Sequence, residues 1–370
     1  MKLRSTSRVC GAWMDKVLEL DATGDEGKAL RDAIEAFGVA IVSQTAPEVA
    51  SAADALDAHG TALSSIHRAL RRCQTSRPNE LSSAMMFLFL SEFLLPSASS
   101  ARFHAFGLSQ LMVGQGPNYY SRGLPHELFL GFRTGMIVWS IAAHKAIFLG
   151  SPEWSTIPFQ ERPAEPLQAL VTVGARIPSI LETIDKMNES IDPEKAWECL
   201  DLLKDVMNSL GDWKSLHSAG TLLQQGGDLD DESVSMHDIL YHDVTEANSV
   251  MHYLTFRIIC AVHARSLHEK LADAQPLPIE LAIPESTLTE NAASIMQSVG
   301  YLTQEQMRLY GGMSALLPFK VSHEYLERYG GPDHQALCKR VVDDIKARRH
   351  FYLINFLLSD SILGTYSRGK

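Results

Sequence analysis

Along most of the chain, apolar residues recur three and four positions apart, the spacing that gathers them on one face of a helix. Residues 25–45 (DEGKALRDAIEAFGVAIVSQT) follow it with acids leading, where the positive end of a helix dipole favours them. Residues 50–73 repeat the pattern. Pro78 and Asn79 then open LSSAMMFLFLSEFLL, which Pro96 closes. That segment is apolar on almost every side, so it is read as a buried central helix. Another helix is expected from Ser100 to about Val113, stopped by GQGPNYYSRGLP. Gly114 and Gly116 follow a helix rather than a strand, so they read as a helix C-cap and turn, not a nucleotide loop. Residues 126–149 are again helical and mostly buried, and a link containing Pro152, Pro158, Pro163 and Pro166 follows.

The second half carries more charge. Its spacing predicts helices at 167–188, 193–210 and 233–273, with QQGGDLDD as a loop between the last two. ADAQPLPIELAIPES, with its prolines close together, reads as a loop. Helices at 287–302, 303–310, 319–329 and 333–358 complete the chain. Alternating strand patterns bounded by turn dipeptides are missing, and no fixed-period repeat is evident. The expectation is an all-α fold, a large helical bundle or array. It would comprise an N-terminal extension, residues 1–24, and one extended domain, residues 25–370, in lobes of about 25–160 and 167–370.

Composition narrows the function classes. The 370 residues carry 44 acidic and 33 basic side chains, a formal charge of −11, which disfavours direct binding to nucleic acid or to an anionic membrane. No apolar run reaches the ~18 residues of a membrane span, and MKLRSTSRVCGAWMDK has no signal-peptide core. The five cysteines, Cys10, Cys73, Cys199, Cys260 and Cys338, are dispersed, without CxxC or zinc-finger spacing, as expected of reduced thiols in the cytoplasm or, for a regulator, the nucleus. There is no GxSxG, Walker A or HExxH motif. The pairs His126-Glu127, His268-Glu269 and His323-Glu324 lack a second histidine and read as surface or core-rim residues.

One region carries a family resemblance. AMMFLFLSEFLL is followed by HAFGLSQLMVGQGPNYYSRGLPHELFLGFRTGMIVWSIAAHKAIFLGSPEW. This resembles the fungal-specific regulatory domain of zinc-cluster transcription factors. The matching positions are Glu92, His104, Gly107, Gly116, Pro117, Phe129, Arg133, Phe148, Leu149, Glu153 and Trp154. EANSVMHYLTFRII, AASIMQSVGYL and GGMSALLPFKVSHEYLE resemble the family's later blocks. The family reads DNA through a six-cysteine zinc cluster, whereas here the N-terminus contains only Cys10. The resemblance therefore implies a regulator cut loose from DNA reading, or a helical domain that works without DNA. Glu92 and Arg133 lie in very apolar helices, where an unpaired charge is costly, so they are expected to pair with each other and with His104. Trp154, after Pro152, reads as a packing anchor.

The most chemically suggestive stretch is DLDDESVSMHDILYHDVTEANS, residues 228–249. In a helix, Asp238, His242 and Glu246 would lie at i, i+4 and i+8 on one face, with Asp243 or Asp231 as further acids. Oxygen ligands so placed can hold Mg²⁺ against a diphosphate. The spacing resembles the second metal motif of class I terpene synthases, with His242 in place of the hydroxyl residue. That class also binds diphosphate through an Arg-Tyr pair downstream, and Arg328-Tyr329 follows Glu246 by 82 residues. Arginine suits a bidentate phosphate grip. The chain thus resembles in kind the humulene synthases of fungal tropolone–sesquiterpenoid gene clusters. A solvated acidic helix is the plain alternative for this stretch.

Two functions follow. The first is a Mg²⁺-dependent sesquiterpene cyclase that ionises farnesyl diphosphate and closes a humulene-type ring. Its metal ligands would be Asp238, His242, Asp243 and Glu246, with Arg328 and Tyr329 on the diphosphate. The second is a non-catalytic regulator or ligand-binding domain, for which a buried pocket without convergent acids is expected. Either would bind no nucleic acid directly, and a homodimer is compatible with both.

Overall fold

Proline breaks and apolar runs set the helix boundaries in the computed structural model, which describes residues 13–71, 77–95, 101–187, 191–217, 241, 243–271 and 275–364. The first helices are α1 (Trp13–Val17), α2 (Gly24–Thr45), α3 (Ala52–Leu70), α4 (Pro78–Glu92), α5 (Ala101–Gln115) and α6 (Gly123–Ala142). Short α7 (Pro152–Thr156) leads to α8 (Pro166–Gly174), α9 (Ile177–Lys186) and α10 (Pro193–His217). The long α11 (Val244–Glu269) follows, then α12 (Glu285–Leu302), α13 (Arg308–Ser314), α14 (Leu316–Tyr329), α15 (Pro332–Ala347) and α16 (Phe351–Leu357). The fold is all-α: the described residues contain no strand. None of their helices is long and apolar enough to cross a membrane.

The expected central helix is α4, starting at Pro78 and buried from Glu80 to Phe89. It packs against α2, α3 and α5, and touches α6. Such all-round burial is what a helix without a polar face requires. The helix α11 is the counterpart in the second half, packed by α8, α10, α12 and α14. It meets α8 at Gly174, where any Cβ would run into the Phe256 ring, so only glycine permits this approach. Gly116 ends α5 at φ +76° and donates its N–H to the Met112 carbonyl, the cap that the sequence predicts.

Several boundaries differ from expectation. The predicted helix 167–188 is two helices, because Pro178 in the first turn of α9 cannot continue the hydrogen-bond ladder of α8. The predicted helix 333–358 breaks at Arg349, whose φ is +60°. Part of the expected N-terminal extension is core: Trp13 is buried and packs 5.1 Å from Phe87 and 5.2 Å from Phe132, ring to ring.

After α16 the chain folds back as a strap. The Ile362 carbonyl accepts from His144 Nε2 and His263 Nε2, each at 2.9 Å. Glu324 accepts from the Ile362 and Leu363 N–H groups. Lys320, fully buried, donates to the carbonyls of Leu357 and Ser359 and pairs with Glu324 at 3.1 Å. These buried polar groups thereby find partners in place of the water that burial removes.

Candidate functional site

An apolar cavity of about 300 Å³ lies among α1, α2, α4, α6, α11 and α13. Trp13, Phe37, Phe89 and Phe93 give it aromatic walls, and Met86 and Met313 fill between them. Trp13 reaches the wall because Gly131 on α6 has no side chain; a Cβ there would collide with the indole. Gly135, one turn along, borders the cavity with its nearest neighbours, Met86 and Phe89, 3.4 Å from where a Cβ would sit.

Three polar atoms among the lining residues are buried without a hydrogen-bond partner: Thr134 Oγ1, Asn248 Oδ1 and His252 Nε2. The rest of each α11 side chain is committed. Asn248 Nδ2 donates to the Val244 carbonyl at 2.9 Å, leaving Oδ1 as acceptor. His252 Nδ1 lies 2.9 Å from the Asn248 carbonyl, which can only accept, so Nδ1 carries the proton and Nε2 presents a lone pair. Burial pushes the His252 pKa down to about 4, so the ring is neutral at pH 7. Two acceptors and a hydroxyl thus stand unpaired among the residues of an otherwise apolar lining. An orphaned buried polar group costs about 1–3 kcal/mol, which a ligand that pairs it returns.

The residues expected at a metal–diphosphate site are placed as follows. Asp238, His242 and Asp231 lie outside the described residues. Asp243 caps α11, its Oδ1 accepting from the Glu246 N–H at 2.9 Å, so those two are adjacent. Arg328 and Tyr329 are neighbours at the end of α14, and the Arg328 guanidinium donates to the carbonyls of Leu363 and Gly364 under the strap. His263 grips the same strap from α11, 17 residues beyond Glu246. At 1.5 Å per residue the acidic pair and Arg328 are about 25 Å apart along that helix. Among the described residues, Asp243 and Glu246 thus stand at the start of α11, and the strap that Arg328 holds crosses that helix well beyond them.

The expected pairing of Glu92 with Arg133 is corrected. Glu92 Oε1 instead lies 3.1 Å from His59 Nε2 and 3.3 Å from His104 Nε2. Arg133, fully buried, donates to the Gln168 carbonyl and Oε1 and to Thr172 Oγ1. Its charge also faces the rings of Phe129 and Phe159, 5.3 and 4.9 Å away. Burial lowers its pKa to about 9, which still leaves it charged at neutral pH. Trp154 is the anticipated packing anchor, 4.5 Å from Phe148, ring to ring.

Among the described residues two groups of side chains are close enough to coordinate a divalent metal: His59, Glu92 and His104, and His323, Glu327 and Cys338. Imidazole and thiol donors suit zinc-class ions better than magnesium. The second group is the poorer host, because burial and nearby Glu327 push the Cys338 thiol up to about 12 and keep it protonated. His59, Thr134, Asn248 and His252 were not singled out from the sequence. Asn248 and His252 do stand at i and i+4, but the same spacing recurs on ordinary helix faces.

The chain is all-α and carries His/Glu and His/Glu/Cys clusters able to hold a metal. No known protein family, curated protein or solved structure matches it.

Proposed function

We propose that this protein is a ligand-responsive helical domain that binds a neutral, largely apolar small molecule carrying a hydrogen-bond donor. The observation that carries this reading is the trio of unpaired groups, Thr134 Oγ1, Asn248 Oδ1 and His252 Nε2, at an otherwise apolar cavity. Its volume of about 300 Å³ is at the small end for ligand sites, which suits a molecule of sesquiterpenoid size. The resemblance to fungal regulatory domains supports the same assignment, and such a module would act in the nucleus.

Farnesol, a fifteen-carbon alcohol, is a suitable probe. It is expected to bind saturably in calorimetry, and its methyl ether, which lacks the donor, roughly ten-fold more weakly. Gly135→Leu should fill the cavity and abolish binding while the helical circular-dichroism spectrum persists. Thr134→Val should weaken binding by a similar factor yet leave the ligand-free protein as stable or up to about 1–3 kcal/mol more stable, because it removes an orphaned hydroxyl. Equal affinity for alcohol and ether would refute the role of the trio.

A second reading is favoured by the aromatic walls. Faces of Trp13, Phe37, Phe89 and Phe93 can stabilise a carbocation, and His252 Nε2 is a neutral base in the same enclosure. This is the Mg²⁺-dependent sesquiterpene cyclase, in the cytoplasm. Diphosphate would leave farnesyl diphosphate, the cation would close a humulene-type ring, and loss of a proton would give the hydrocarbon. Asp238, His242, Asp243 and Glu246 would hold Mg²⁺ at the start of α11, and Arg328 and Tyr329 would need another means of reaching the diphosphate. Incubation with farnesyl diphosphate, with and without Mg²⁺, and mass analysis of volatiles decides the matter. A Mg²⁺-dependent hydrocarbon lost in Glu246→Ala favours the cyclase, whereas an inert protein that binds farnesol favours the ligand-responsive domain.

A further inference from the structure

We infer that His59, Glu92 and His104 form a zinc site at the junction of α3, α4 and α5, with a fourth coordination position open to the cavity beside them. This site is separate from the ligand cavity, since α4 stands between the two, and it does not rest on the function proposed above.

The three side chains come from three helices and are all buried, at 9%, 2% and 6% exposure. Both Nε2 atoms converge on one oxygen, Glu92 Oε1, at 3.1 and 3.3 Å. The proton positions are fixed from behind. Ser91 Oγ donates to the Leu88 carbonyl at 2.8 Å, so it accepts from His59 Nδ1 at 3.0 Å. His59 Nδ1 therefore carries a proton, and in the neutral ring Nε2 turns a lone pair toward the carboxylate. His104 Nε2, although near the same oxygen, is buried without a hydrogen-bond partner. A nitrogen lone pair on His59 faces an anionic oxygen out of water, with the orphaned His104 nitrogen beside them, an arrangement that is costly unless a cation lies among the three. A proton on His59 would join it to Glu92 but leave His104 orphaned. A metal ion satisfies all three.

Bond lengths fit. Zinc binds imidazole nitrogen and carboxylate oxygen at about 2.0–2.2 Å, and tetrahedral angles then separate neighbouring ligand atoms by about 3.3 Å. The two nitrogens and one oxygen select zinc over magnesium or calcium, which take oxygen. Ser91, holding the far nitrogen of His59, is the outer partner that a metal-ligating imidazole ordinarily has. Three protein ligands leave one position for water or an oxygen-donor ligand. The adjoining cavity encloses about 600 Å³ and is walled by Leu56, Leu63, Met85 and Leu95, so that ligand would be carried on an apolar molecule.

The test is metal binding by the whole chain after chelator treatment, with zinc alone titrated in a calorimeter and Co²⁺ as an optical stand-in. One equivalent of zinc is expected, with a rise in melting temperature. His59→Gln and His104→Gln should each weaken binding 10- to 100-fold, and Cys338→Ser should leave it unchanged. The Co²⁺ protein should lack a sulfur charge-transfer band, a readout that needs no variant to fold. A folded wild-type protein that takes up no zinc overturns the proposal, as does uptake that Cys338→Ser abolishes and His104→Gln leaves intact.

Discussion

Replacing Glu324 by alanine is expected to cost about 3–5 kcal/mol of stability, the loss usual when one partner of a buried ion pair is removed. Lys320 is fully buried and 3.1 Å from that carboxylate, and two strap N–H groups, those of Ile362 and Leu363, also donate to it. The variant leaves a cation facing the Leu357 and Ser359 carbonyls and the Phe356 ring without a counter-charge, and unties the Ile362 and Leu363 N–H groups from α14. Thermal melting should drop by roughly 5–15 °C. Asp343→Ala is the control, because the Lys339–Asp343 pair is exposed, at 78% and 55%, and such pairs contribute well under about 1 kcal/mol. Equal melting temperatures for the two variants would refute the role assigned to Glu324.

The second large effect is acid sensitivity. His252 and His263 have pKa values pushed down to about 4, chiefly by burial. An unfolded histidine titrates near 6.5, so below that pH the unfolded chain binds the protons more tightly. The stability from keeping both rings neutral is therefore complete above about pH 6.5 and is lost as the pH falls toward 4. Each ring contributes roughly 3 kcal/mol over that window, against a net stability of about 5–15 kcal/mol. Unfolding between pH 4 and 5 is the expected outcome, with about two protons taken up. His252→Leu should move the acid midpoint downward. If that midpoint is unchanged, buried imidazole does not set the acid limit.

Much of the fold is legible in the sequence because local patterns govern it. An apolar run between Pro78 and Pro96 leaves a helix no solvent face, and Gly116 after a helix has the freedom to take its left-handed cap. The break at Arg349 carries no such mark: neither proline nor glycine stands there, and the turn is held by tertiary contacts, with His350 Nε2 donating to the Thr303 carbonyl. The site residues are harder. Glu92, His104 and Arg133 are conspicuous as charges in apolar helices, yet the partners of each are chosen by how helices cross. His59 comes from α3, an ordinary amphipathic helix, and Gln168 from α8, and neither position differs in sequence from a surface one. The unpaired state of Thr134, Asn248 and His252 is a property of the cavity, which no spacing rule encodes.

The strap also sets an order of events during synthesis. His144, His263, Lys320, Glu324 and Arg328 all bond to residues 357–364, so these bonds form only once that stretch has left the ribosome. A chain halted just short of it would hold nearly all its helices yet leave Lys320 with Glu324 but without its carbonyl partners. Loss of the strap would thus open the structure around α14 and make that region a target for proteases that act on open chains.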